Sequence, residues 1–152
     1  MSGRLMPYRP MPYRLGPRQY VSQGGCMARI TEDARKCSIF LGWDASSTGD
    51  PAAIDHEGTG FLVYSGEGGA MGVYIVTAAH IARKLGSDPF VVRLNDEEGN
   101  ARLNHIDNAV WYFHPTDSAV DIAIMRYEPP HWSGAASLPV SEFLDPSRAD
   151  DW

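Results

Sequence analysis

Cysteine is scarce in this chain of 152 residues, and long apolar runs are absent from it. Only Cys26 and Cys37 occur, with no C-x-x-C and no paired histidines. That is neither the thiol density of a disulfide-stapled secreted domain nor the ligand spacing of a structural zinc site. No run approaches the roughly 20 apolar residues that a membrane helix needs. The first residues have no apolar h-region and no small-residue cleavage site, so they do not read as a secretory signal. Both thiols are therefore expected to be reduced, and the protein to be cytoplasmic. A basic surplus is also missing. Thirteen Lys and Arg face 19 Asp and Glu, for a net charge of −6. The distribution is uneven: residues 1–25 hold Arg4, Arg9, Arg14 and Arg18 and no acid, which leaves −10 on the remainder. An acidic body argues against nucleic-acid binding, whose footprint is a basic face.

What is present reads as one domain with room for a core. Residues 1–26 repeat Met-Pro-Tyr-Arg (Met6–Arg9, Met11–Arg14) with almost no aliphatic periodicity. Such a segment buries too little to offset its ordering entropy, which predicts a disordered Arg/Pro-rich leader. From Lys36 onward, short β-type runs alternate with Gly, Asp, Asn and Pro clusters. Six strands are expected: Cys37–Leu41, Gly60–Tyr64, Val73–Thr77, Phe90–Leu94, Ala109–Phe113 and Val120–Arg126. A weaker run at Ala101–Leu103 either extends the fourth strand or pairs separately. Helical patterning is confined to Ile30–Arg35 and the single turn Ile81–Leu85, and Cys37 reads as a small core residue opening the first strand. Hairpin-sized connections predict an all-β fold, a six-stranded antiparallel barrel over residues 36–140, since closure removes exposed edges. Residues 141–152 read as a polar tail.

Two residues sit awkwardly in this pattern. VTAAHIA, Val76–Ala82, carries His80 in an apolar run, and a buried imidazole needs partners for both ring nitrogens. SAVDIAIMRYE, Ser118–Glu128, carries Asp121 among Ala, Val and Ile, where a carboxylate is costly unless paired. Taken singly, a buried aspartate can cap a turn and a core histidine can bond a carbonyl. Taken together, each is the other's economical partner. Asp121 accepting from Nδ1–H fixes the tautomer and leaves Nε2 as a base. The small Ala78 and Ala79 allow the backbone to approach the carboxylate.

GTGFLV (Gly58–Val63), VTAAHI (Val76–Ile81), YFHP (Tyr112–Pro115), DIAI (Asp121–Ile124) and LPV (Leu138–Val140) follow one another in an order that resembles the first barrel of the chymotrypsin-like (trypsin-like) serine peptidases. The resemblance spans Lys36 to Val140. It implies a fold equivalent to one half of a double barrel, with His80 as general base and Asp121 as the orienting carboxylate, held in part by the Ala79 and His80 backbone N–H groups. It implies a protein or peptide substrate and no cofactor. Ile81 stands where many secreted members have a cysteine, in keeping with the missing signal peptide. The family's nucleophilic serine, oxyanion donors and specificity pocket belong to a second barrel. After Asp121 only 31 residues remain, and Ser133, Ser137, Ser141 and Ser147 lack G-D-S-G-G-like surroundings. The expected function is thus the N-terminal part of a trypsin-like serine endopeptidase, inactive alone, with one unusually apolar face where a second barrel packs.

A rival from another class is a non-catalytic β-barrel that binds or scaffolds and keeps the His–Asp pair as a relic. The polar ending SEFLDPSRADDW suits that reading. A metal site built from His56, His80, His105, His114 and His131 is disfavoured, because no pair has i, i+4 or other ligand spacing. Trp43, Trp111 and Trp132 stand at strand ends without interleaved basic residues, so they read as packing residues rather than nucleic-acid stacking platforms. Neither nucleic acid nor membrane is expected as a partner.

Overall fold

The structure is a computed structural model that describes residues 32–46, 48–66 and 71–142. The leader, Cys26, Ser147 and most of the tail lie outside the described residues. A two-turn helix, α1 (Glu32–Cys37), leads into β1 (Ser38–Asp44), β2 (Ile54–Ser65) and β3 (Gly72–Thr77). Helix α2 (Ala79–Leu85) follows, then β4 (Phe90–Asn95), β5 (Ala101–Ile106), β6 (Trp111–Phe113), β7 (Ala123–Tyr127), the short β8 (Leu138–Pro139) and a 3-10 turn at Val140–Glu142. No described helix is long and apolar enough to cross a membrane.

The expectation of an all-β domain holds, and the six-stranded barrel does not. Eight strands form one sheet ordered β5-β4-β1-β2-β3-β7-β6, with β8 parallel to β2, and its hydrogen-bonded path is not closed. The expected fifth strand accounts for part of the difference. Ala101–Ile106 forms a full strand against β4, set up by a turn in which the Asn100 N–H donates to Asp96 Oδ1 at 2.8 Å. The chain then breaks at Asn108, which has a left-handed φ of 57°, and resumes as the three-residue β6 against β7. The weaker run at Ala101–Leu103 is thus a separate strand, and it runs on through Asn104 and His105, whose polarity interrupts the apolar signal. Cys37 is buried as expected, but it ends α1 rather than opening β1.

Although the ladder is open, the sheet curls round its main core. Ile39, Leu41, Leu62, Ile75, Phe90, Val92, Met125 and Tyr127 point into one cluster from five strands, joined by Leu85 of α2. Side chains span the opening between the two ends of the path. The Asn104 amide of β5 donates to the Tyr127 hydroxyl of β7 at 2.9 Å, and Phe90 stacks on Trp111 with centroids 6.0 Å apart. Strand β2 is far longer than its apolar segment, because β1 pairs with it from Ser38↔Phe61 to Asp44↔Ile54. At the irregularity in that pairing, a Cβ on Gly42 would lie 2.1 Å from the Asp55 carbonyl oxygen, so only glycine lets the strands come this close.

Candidate active site

The site begins where β3 stops. Thr77 is the last paired residue of that strand, facing Gly60 and Ala123, and its hydroxyl donates to the Thr59 carbonyl at 2.7 Å. The chain turns through Ala78 into α2, which has no side-chain cap and no acid in its first turn. The inward residues of its first turn and a half are small. Ala79 and Ala82 pack on Ala123, the first residue of β7, with Trp111 alongside. Three alanines at one contact let the helix sit close to the start of β7. Asp121, two residues earlier, is thereby brought to the N-terminal end of α2.

The carboxylate engages the histidine twice. The His80 backbone N–H donates to Asp121 Oδ1 at 2.9 Å, and His80 Nδ1 lies 2.7 Å from Oδ2. Asp121 therefore serves as the missing helix cap, supplied from 41 positions away, and as the partner of the ring. The His80 N–H bond above all, then the ring contact, holds the carboxyl below the usual carboxylate range, with a smaller contribution from the Ala79 N–H. An ionised carboxylate only accepts, so the neutral imidazole must carry its proton on Nδ1 and leave the lone pair on Nε2. Among the described residues Nε2 has no hydrogen-bond partner.

Burial, which made the two residues look like partners in the sequence, is not what joins them. The His80 side chain is 65% exposed and that of Asp121 51%. Alternation along β7 turns Ala123, Met125 and Tyr127 inward, and Asp121 lies before the strand begins, on its rim. The pairing follows from helix-end geometry and close alanine packing.

The remaining histidines are dispersed. His56 meets the Phe40 ring edge-on at 5.3 Å, His105 lies 3.9 Å from Asp44, and His114 accepts the Asp117 N–H at 2.9 Å. Among the described residues no three potential ligands converge. Ser133 lies beside Asp96 in an isolated bridge, where its hydroxyl accepts the Ala135 N–H at 3.1 Å. Ser137 precedes β8 and Ser141 lies in the 3-10 turn.

Two features beside His80 escape the sequence reading. Lys84, four residues on, pairs with Glu57 of β2, and Ile81 rests on Gly58 of the same strand. The i, i+4 spacing of His80 and Lys84 is visible in the sequence, whereas the approach of Glu57 is not. Comparison with protein-family models, curated proteins and solved structures finds no match to this chain.

Proposed function

We propose that this chain supplies the base and orienting carboxylate of a trypsin-like serine endopeptidase, its sheet being the equivalent of one half of a chymotrypsin-like double barrel. The observation that carries the reading is the double engagement of Asp121 with the His80 N–H and Nδ1, which leaves an exposed Nε2. A hydroxyl brought to Nε2 loses its proton as it attacks a peptide carbonyl, and the same nitrogen then protonates the leaving amine. A second domain provides that serine and the oxyanion donors, so the chain by itself does not turn over peptide. A cytoplasmic setting belongs to the same proposal.

The surface near the pair suits such a partner. Tyr112, Ile124, Val76 and Phe61 are successive cross-strand neighbours on the outward side of β6, β7, β3 and β2. Tyr112 and Ile124 are exposed, as are Val110 and Ile122 close by. An apolar row of this kind is the mark of an interaction face.

The test is to express the chain together with the coding sequence that follows its last codon. The product is assayed on fluorogenic peptides and with a serine-reactive phosphonate. Activity that falls by roughly six orders of magnitude in His80→Ala supports the proposal. An inert product, or activity that survives the substitution, overturns it. The unpartnered Nε2 also fits the second reading, a binding domain with a relic pair, and an inert product would favour that one.

A further inference from the structure

Helix α2 has only seven residues, no capping side chain at its own N-cap Ala78 and no acid in its first turn, so its position depends on what it touches. One end is fastened by Asp121. The other carries the Lys84–Glu57 ion pair, and the two partners differ sharply in setting. The Lys84 side chain is 63% exposed, whereas that of Glu57 is 11% exposed. A carboxylate so nearly closed off is costly unless it is paired, which makes this a defined contact rather than a casual surface bridge. Lys84 lies on the same helical face as His80, one turn on. Between them, Ile81 seats on Gly58, next to Glu57 on β2. The imidazole is mostly exposed, so little packing holds the ring, and its alignment with Asp121 follows the position of the helix.

We infer that Glu57 and Lys84 are positioning residues for His80: they pin the second turn of α2 to β2 and so keep Nδ1 on the Asp121 carboxylate. The inference rests on the proposed function only in taking His80 as the base. Its geometric content belongs to this chain alone.

The test reads the tautomer of His80 from imidazole ¹⁵N shifts at neutral pH in the full chain. In the unaltered protein the Nδ1–H form dominates. The double variant Glu57→Gln/Lys84→Met removes the pair without stranding a charge. It is expected to shift the tautomer ratio by at least about threefold, within the ordinary range of coupling between neighbouring residues. Lys84→Arg, which keeps the pair, is expected to leave the ratio unchanged. Arg102→Met removes a guanidinium that lies 4.6 Å over Trp132, on β5 at the far end of the sheet, and is likewise expected to leave it unchanged. An unshifted ratio in the double variant, an equal shift in Arg102→Met, or a double variant that fails to fold overturns the positioning role. No nucleophile is needed for this measurement. A chain without peptidase activity still returns an answer, and a negative answer leaves the peptidase proposal to its own test.

Discussion

Gly58→Ala probes the contact between α2 and β2 directly. A Cβ at position 58 would stand 2.9 Å from both Cδ1 and Cγ1 of Ile81 and 3.0 Å from its Cγ2. An unstrained carbon contact needs about 3.5–4.0 Å. Because three carbons of one side chain are engaged, rotating Ile81 exchanges one clash for another, and the helix itself must give. Overpacking of this sort costs about 1–3 kcal/mol. Against it stands a gain of about 0.4–1 kcal/mol from the stiffer unfolded chain, available here because Gly58 has no positive φ. The net expectation is a loss of about 1–2 kcal/mol. In an Ile81→Ala background all three contacting atoms are gone, so the same substitution should stabilise by about 0.4–1 kcal/mol. The coupling between the two sites is therefore about 1.5–3 kcal/mol, within the usual range for residues in contact. Denaturant midpoints at constant m, measured for the four proteins of the cycle, give this number. Equal effects of Gly58→Ala in both backgrounds would refute the steric argument and, with it, the account of how α2 is seated.

Asp121→Asn places an amide donor opposite Nδ1, so the ring must accept there and carry its proton on Nε2. In an enzyme completed by a nucleophile this is expected to lower kcat by about 10⁴, the figure known for the serine-peptidase triad. In this chain alone the ¹⁵N shifts of His80 should invert, and unchanged shifts would sink the tautomer assignment. The Asp121 carboxyl is held below its ordinary value, chiefly by the His80 N–H. Its contribution is complete above the unfolded carboxylate pKa of about 4 and is lost as pH falls through the lower folded value. An acid titration of the His80 amide resonance should show that transition below pH about 4, and a midpoint at the ordinary carboxylate value would contradict it. Burial pushes the Tyr127 hydroxyl up to about 12 from 10.0, despite the hydrogen bond from Asn104. The Tyr127 contribution to stability should therefore be level below pH 10 and fall by up to about 3 kcal/mol as pH rises towards 12. Phenolate absorbance and alkaline unfolding measured together check this, and early ionisation of Tyr127 in the folded state would refute it.

The strands that could be read from the sequence are those with one face in the core. Val73–Thr77 and Phe90–Leu94 match β3 and β4 to within a residue, because their β-branched and aromatic residues are bounded by Gly, Asn and Asp. The N-terminal half of β2, IDHEGT, carries no such signal. It is a strand because β1 pairs with it, and ladder hydrogen bonds are indifferent to side-chain polarity. Strand β5 shows in the sequence only as the weak run Ala101–Leu103, and it continues through Asn104 and His105 as the hairpin partner of the apolar β4. The left-handed Asn108, which splits β5 from β6, is a backbone choice that the run Ala109–Phe113 does not announce.

Composition and pattern by themselves determined a mostly β domain and singled out His80 and Asp121 as the residues most in need of a partner. That much is local chemistry: alternation along strands, and polar groups set among apolar neighbours. Only the tertiary structure decided that the two residues meet on the rim rather than in the core, that the sheet curls without closing its ladder, and that Glu57 comes to Lys84. Each of these depends on distances between segments far apart in the chain. For the two pairings at α2, those distances depend on how closely Ala79 and Ala82 pack on Ala123, and Ile81 on Gly58. Close packing of that kind is a property of facing surfaces, and no single segment of sequence contains it.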